Sequence, residues 1–215
     1  MALLAVAAMA LPLIWPGSSA DPALRADTTW VRPFAPAAQA DCAAAGVVCI
    51  TSNRSSRLEI TESNVVVDGQ GHTVPGISVV GDNVTIQNFR VVDAEQTGIR
   101  VEGDGITVRN NDITQVSYGT DDLDALRFFG NDITIQYNAM FDIVKGEKLD
   151  AHVDCTQTWA SESTRSSSNV LIEGNHCEDP EFAQCLMAEG PDSTDGGGGA
   201  TGDSRNWTVR GNFYD

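Results

Sequence analysis

A seven-residue pattern recurs along this chain and limits the possible fold more than any other feature. Asn83-Val-Thr-Ile-Gln-Asn-Phe, Gly105-Ile-Thr-Val-Arg-Asn-Asn, Asp132-Ile-Thr-Ile-Gln-Tyr-Asn, Asn169-Val-Leu-Ile-Glu-Gly-Asn and Asn206-Trp-Thr-Val-Arg-Gly-Asn share it, with Asn64-Val-Val-Val-Asp-Gly-Gln as a weaker copy. Each copy opens on a turn-forming residue and then alternates apolar, mostly β-branched positions with polar ones. That is the period-two chemistry of a strand with one face in a core. A recurring unit of this size buries its apolar face only by stacking on the next unit, so the pattern predicts a solenoid of parallel strands. The seventh position is Asn in four copies, as Asn111, Asn138, Asn175 and Asn212, whereas the first has Phe89 there. Stacked Asn side chains can pass amide hydrogen bonds along the solenoid axis, and Asn tolerates the left-handed backbone of a corner.

The copies begin at residues 64, 83, 105, 132, 169 and 206, so the intervals lengthen from 19 to 22, 27, 37 and 37 residues. A coil of about twenty residues holds little beyond three short strands and their turns, so the longer intervals imply inserted loops. Tyr118 to Asp124 and Trp159 to Ser168 are the expected insertions. In solenoids such loops gather on one side, which is often the binding face. Each coil also offers a later strand: Gly98-Ile-Arg-Val-Glu, Ala125-Leu-Arg-Phe-Phe, Ala151-His-Val-Asp-Cys-Thr-Gln and Gln184-Cys-Leu-Met-Ala-Glu. Stacked in parallel, these put Cys155 and Cys185 on neighbouring coils, within the separation a disulfide tolerates, with Cys177 as the competing partner for either. Cys42 and Cys49 can staple one small loop.

Residues 1–20 contain an apolar run from Ala2 to Trp15, a Pro16-Gly17 break and the small residues Ser18-Ser19-Ala20. This predicts a cleaved secretory signal, and hence an extracellular, disulfide-permissive location. Residues 21–57 are rich in Pro and Ala and read as a linker and N-terminal cap, leaving 58–215 as the solenoid domain. The chain stops within a repeat, so an open C-terminal end is expected. Against 30 Asp and Glu stand 13 Lys and Arg, a formal charge of −17, which argues against nucleic acid and membrane as partners. A monomer is expected.

The Asn-Val-Thr-Ile repeat, the Asn column, the secretory segment and the lengthening loops resemble the pectate-lyase-like right-handed parallel β-helix superfamily. His152-Val-Asp-Cys-Thr-Gln-Thr-Trp159 is similar to a segment of secreted bacterial β-helix proteins. The resemblance covers roughly residues 58–215 and implies an all-β, right-handed parallel β-helix of about five to six coils. It implies no single activity, because that fold hosts lyases, hydrolases, epimerases and non-catalytic modules.

The residues suggest where chemistry would sit. With Val153 and Cys155 inward, His152 and Asp154 share the outer face of one strand. Arg100 and Arg127 come from the equivalent strand of earlier coils, and Glu189 from the following one. This mixture suits β-elimination on a uronic acid. Arg100 and Arg127 bind the substrate carboxylate, His152 removes the neighbouring proton, and Asp154 orients His152 or holds Ca²⁺. Gln157, Trp159, Glu189 and Lys148 are candidate substrate contacts, and Lys145 or Lys148 is the alternative base. Asp121, Asp122 and Asp124, with Glu102 and Asp104 one coil earlier, form an acidic patch able to offer oxygen ligands to Ca²⁺. Two other readings stay open: a glycoside hydrolase using Asp154 with Glu189, and a non-catalytic carbohydrate-binding module.

Overall fold

The computed structural model describes residues 38–116, 122–143, 152–160, 164–178, 184–188 and 204–214, all within one compact unit spanning Pro33–Asp215. The proposed signal segment 1–20 and the linker up to residue 37 lie outside these residues. In chain order the first strands are β1 (Val47–Cys49), β2 (Leu58–Ile60), β3 (Val65–Asp68), β4 (Thr73–Val74), β5 (Ile77–Val80) and β6 (Val84–Gln87). Then come β7 (Arg90–Val92), β8 (Thr97–Glu102), β9 (Thr107–Arg109), β10 (Asp112–Val116), β11 (Asp122–Phe129), β12 (Thr134–Gln136) and β13 (Ala139–Ile143). The last are β14 (His152–Thr158), β15 (Ser168–Glu173), β16 (His176–Glu178), β17 (Gln184–Ala188), β18 (Arg205–Arg210) and β19 (Phe213–Tyr214).

After the first few, every third strand joins the same sheet, and every pairing is parallel. One sheet runs β1-β3-β6-β9-β12-β15-β18, a second β4-β7-β10-β13-β16-β19 and a third β2-β5-β8-β11-β14-β17. This is a parallel β-helix. The seven-residue copies build the first sheet in register, so Val67, Ile86, Val108, Ile135, Ile172 and Val209 form one aliphatic column. Ile86, Val108, Ile135 and Ile172 are fully buried, and each contributes about 1.5–3 kcal/mol relative to exposure. β1, within the segment read as a cap, is itself a strand of this sheet, and Cys42 is bonded to Cys49 at its end.

The Asn column forms as expected. Asn111 donates to Asn138, Asn138 to Asn175 and Asn175 to Asn212, each through Nδ2 to Oδ1 at 3.0 Å. Each Oδ1 also accepts a backbone N–H, from Phe89, Asn111, Asn138 and Asn175 in turn. The left-handed backbone, however, falls one residue earlier, at Asn88, Asn110, Tyr137, Gly174 and Gly211. The column residues therefore serve as hydrogen-bonding groups, and the corner is bent by their predecessors. The opening residues of the copies form a second, exposed ladder, in which Asn206 donates to Asn169 and Asn169 to Asp132.

Two sequence expectations change. Asp122 to Asp124, read as loop, begin β11, because Leu123 turns into the core while its neighbours face out. Cys155 is bonded to Cys177, not to Cys185, with Cα atoms 6.2 Å apart. The coil closes on itself, so inward side chains from the second and third sheets meet across the interior. Stacking between rungs is therefore not the only way to bring two cysteines together. Cys185 is a free thiol.

Candidate functional site

β8, β11 and β14 lie side by side in the third sheet and carry most of the predicted residues. Strict alternation from Val153 and Cys155 inward would also turn Gln157 inward. The strands avoid this by placing two consecutive residues toward the core at stacked positions: Gly98-Ile99 on β8, Ala125-Leu126 on β11 and Cys155-Thr156 on β14. A Cβ on Gly98 would fall 2.5 Å from the core side chain of Ile113, while Ile99, Ala125, Leu126 and Cys155 all belong to the core. Pairing continues through the irregularity, with Leu126 opposite both Ile99 and Thr156. An irregularity of this kind re-aims side chains. Asp122 and Asp124 before it and Arg127 after it all reach one outer face, as do His152, Asp154 and Gln157.

On that face His152 Nδ1 lies 2.9 Å from Asp154 Oδ2 and 3.8 Å from Asp122 Oδ1. The imidazole is about one-third exposed, whereas Asp154 has no exposed side-chain surface. Burial pushes Asp154 up to about 6, and the charge of Asp122 adds to this while His152 opposes it. Arg127 lies against two carboxylates. Its Nη2 is 2.8 Å from Asp122 Oδ2, and its Nε makes a close contact with Asp124 Oδ2. Burial pushes Asp124 up to about 8 despite the guanidinium beside it. Gln157 Nε2 approaches Asp122 Oδ1 at 3.4 Å and Met187 Sδ at 3.2 Å.

Asp122 is thus the hub that joins Arg127, Gln157 and His152. The sequence singled it out only as a metal ligand. The signal that locates it is register: Asp122 stands opposite His152, and Asp124 opposite Asp154. The pair Asp122 and Asp124 does not fit a Ca²⁺ site, because the Arg127 guanidinium already lies against both. Among the described residues no group of three or more His, Cys, Asp or Glu could hold a metal ion. Asp121, the third proposed ligand, lies outside the described residues, as do Lys145, Lys148 and Glu189.

Arg100 stands opposite Arg127 but does not join its ion pairs. It lies 4.8 Å over the Phe129 ring and 3.5 Å from Glu102 Oε2, with about a third of its side chain exposed. Trp159 packs edge-on against Phe129 at 4.8 Å and takes Arg127 over its face at 5.3 Å. The predicted residues therefore divide into a cluster of His152, Asp154, Asp122, Asp124, Arg127 and Gln157, and a neighbouring aromatic–Arg strip of Arg100, Phe129 and Trp159.

His152 is the one partly exposed imidazole in this cluster, and Asp154 Oδ2 lies 2.9 Å from its Nδ1 without an aligned hydrogen bond. The geometry suits proton transfer at the outer nitrogen, Nε2, with Asp154 stabilising the imidazolium that forms. The chain matches no family model, no curated protein and no solved structure.

Proposed function

We propose that this protein is a secreted, polysaccharide-acting β-helix of the pectate-lyase-like type that cleaves a uronic-acid polymer by β-elimination. The observation that carries this reading is the one-third-exposed His152 whose Nδ1 lies 2.9 Å from a fully enclosed Asp154. His152 Nε2 takes the proton next to the substrate carboxylate, the bond to the departing sugar oxygen breaks, and the product is an unsaturated uronate. Arg127 supports carboxylate binding through Nη2, which approaches Asp122 at 2.8 Å without an aligned hydrogen bond. Because Nη2 is enclosed, a substrate carboxylate reaches it only where Asp122, itself about one-third exposed, moves aside. Arg100 stands level with Gln157, five residues along the sheet from His152, and Trp159 follows seven residues after His152, roughly 16 and 23 Å away, so only an extended polymer meets both places. The two disulfides fit an oxidising compartment, in keeping with the proposed signal segment.

The enclosure of Asp154 favours elimination over hydrolysis. A glycosidase acid must reach the glycosidic oxygen, and a carboxyl with no exposed surface supports His152 instead. The test is a panel of pectate, alginate and glycosaminoglycans, with and without Ca²⁺, read by ultraviolet absorbance of unsaturated product and by reducing ends. Unsaturated product that disappears in His152→Ala supports the reading. Reducing ends without unsaturation point to a hydrolase, and binding without turnover points to a carbohydrate-binding module; either result overturns it.

A further inference from the structure

Three cysteines meet at the last described rungs, and one of them is free. Cys155 and Cys177 are bonded and have no exposed surface, while Cys185 is unpaired and partly exposed. The register of β14 and β17 pairs Asp154 with Gln184 and Thr156 with Leu186, which sets Cys185 directly opposite Cys155. Parallel neighbours are about 4.8 Å apart, inside the roughly 4.4–6.8 Å range of Cα separations a disulfide accepts. Cys155 therefore has two partners within bonding reach: Cys177 across the interior and Cys185 on the next rung. Tyr214 stands opposite Cys177 on the second sheet and so covers that side of the bond.

We propose that Cys155, Cys177 and Cys185 form a thiol–disulfide exchange site in which Cys185 is the entry point. The Cys185 thiolate attacks Cys155 Sγ, the Cys155–Cys185 bond forms and the Cys155–Cys177 bond breaks. Cys177 leaves as a thiolate and takes up the proton that Cys185 released. One disulfide and one thiol are present before and after, so no oxidant or reductant is consumed. Because both bonded sulfurs are enclosed, an external thiol or disulfide acts on this bond through Cys185. Exchange replaces a link between two sheets with a link between two rungs, next to Asp154 in the chain, so it alters the strand that carries the candidate site. Burial and the charge of Asp154 push the Cys185 thiol up, so exchange is slow near neutrality and quickens in alkali.

The test uses the full chain. It is held at pH 7 or pH 9, quenched with acid, alkylated with a reagent active at low pH, and mapped by non-reducing peptide mass spectrometry. The label is expected on Cys185 at pH 7, with Cys177 labelling rising about tenfold per pH unit as the thiolate fraction grows. Independently, Cys177→Ser is expected to yield a Cys155–Cys185 bond and no free thiol. Wild-type protein whose Cys177 stays unlabelled at every pH overturns the proposal, as does a Cys177–Cys185 product. So does a folded Cys177→Ser variant that keeps two free thiols under air. The wild-type arm decides the matter even if the variant fails to fold.

Discussion

His152 and Asp154 stand two residues apart on β14, with the imidazole nitrogen 2.9 Å from a carboxylate that solvent does not reach. A base that is partly exposed is thereby tied to an acid that is not, and the pair behaves differently under substitution at each end.

Replacing His152 with Ala removes a side chain that is largely outside the core. Stability is expected to fall by less than about 1 kcal/mol, while any turnover is lost. A denaturant midpoint close to that of wild type, together with absent product, would establish the residue as chemical in role. A large loss of stability would make it structural.

Asp154 has the opposite signature. Its carboxyl is raised by burial, so the contribution it makes to stability is full at pH below about 4 and is lost as pH rises through about 6. Asp154→Asn keeps an acceptor for His152 and removes that loss. The variant is expected to be more stable than wild type by about 1–3 kcal/mol at pH 8 and equal to it at pH 4. Urea unfolding at the two pH values checks this, and a variant destabilised equally at both would refute it.

Arg127 is buried with Asp122 and Asp124 against it. Arg127→Met leaves those carboxylates without their cation and is expected to destabilise the fold by about 3–5 kcal/mol above about pH 8, where Asp124 is ionised. The loss should shrink on acidification, because burial raises Asp124 to about 8 and a protonated carboxyl needs no partner. Thermal unfolding of both proteins across pH 5 to 9.5 measures the difference.

The buried Asn column and the exposed one separate in the same way. The Asn138 side chain makes four interior hydrogen bonds, to Asn111 twice, Val108 and Asn175. Asn138→Ala strands the Asn111 backbone N–H and removes three further hydrogen bonds, and is expected to cost at least about 3 kcal/mol, against less than about 1 kcal/mol for Asn206→Ala on the exposed ladder. Equal effects in chemical denaturation would show that the interior column does not hold the coils together.

Period-two alternation and a recurring corner residue are local properties, and they were enough to determine a parallel solenoid with Asn111, Asn138, Asn175 and Asn212 in one line. Each apolar position of a copy can be buried only by the copy above it, so the pattern admits few other folds. The same alternation also put His152, Asp154, Arg100 and Arg127 on an outer wall. The tertiary structure alone decided what these residues do there. The doubled inward step at Ala125-Leu126 and Cys155-Thr156 brings Arg127 back onto Asp122 and Asp124, and a period of two carries no trace of it. Closure of each coil likewise chose Cys177 over Cys185 as the partner of Cys155, because distance across an enclosed interior depends on three sheets at once and is written in no single strand.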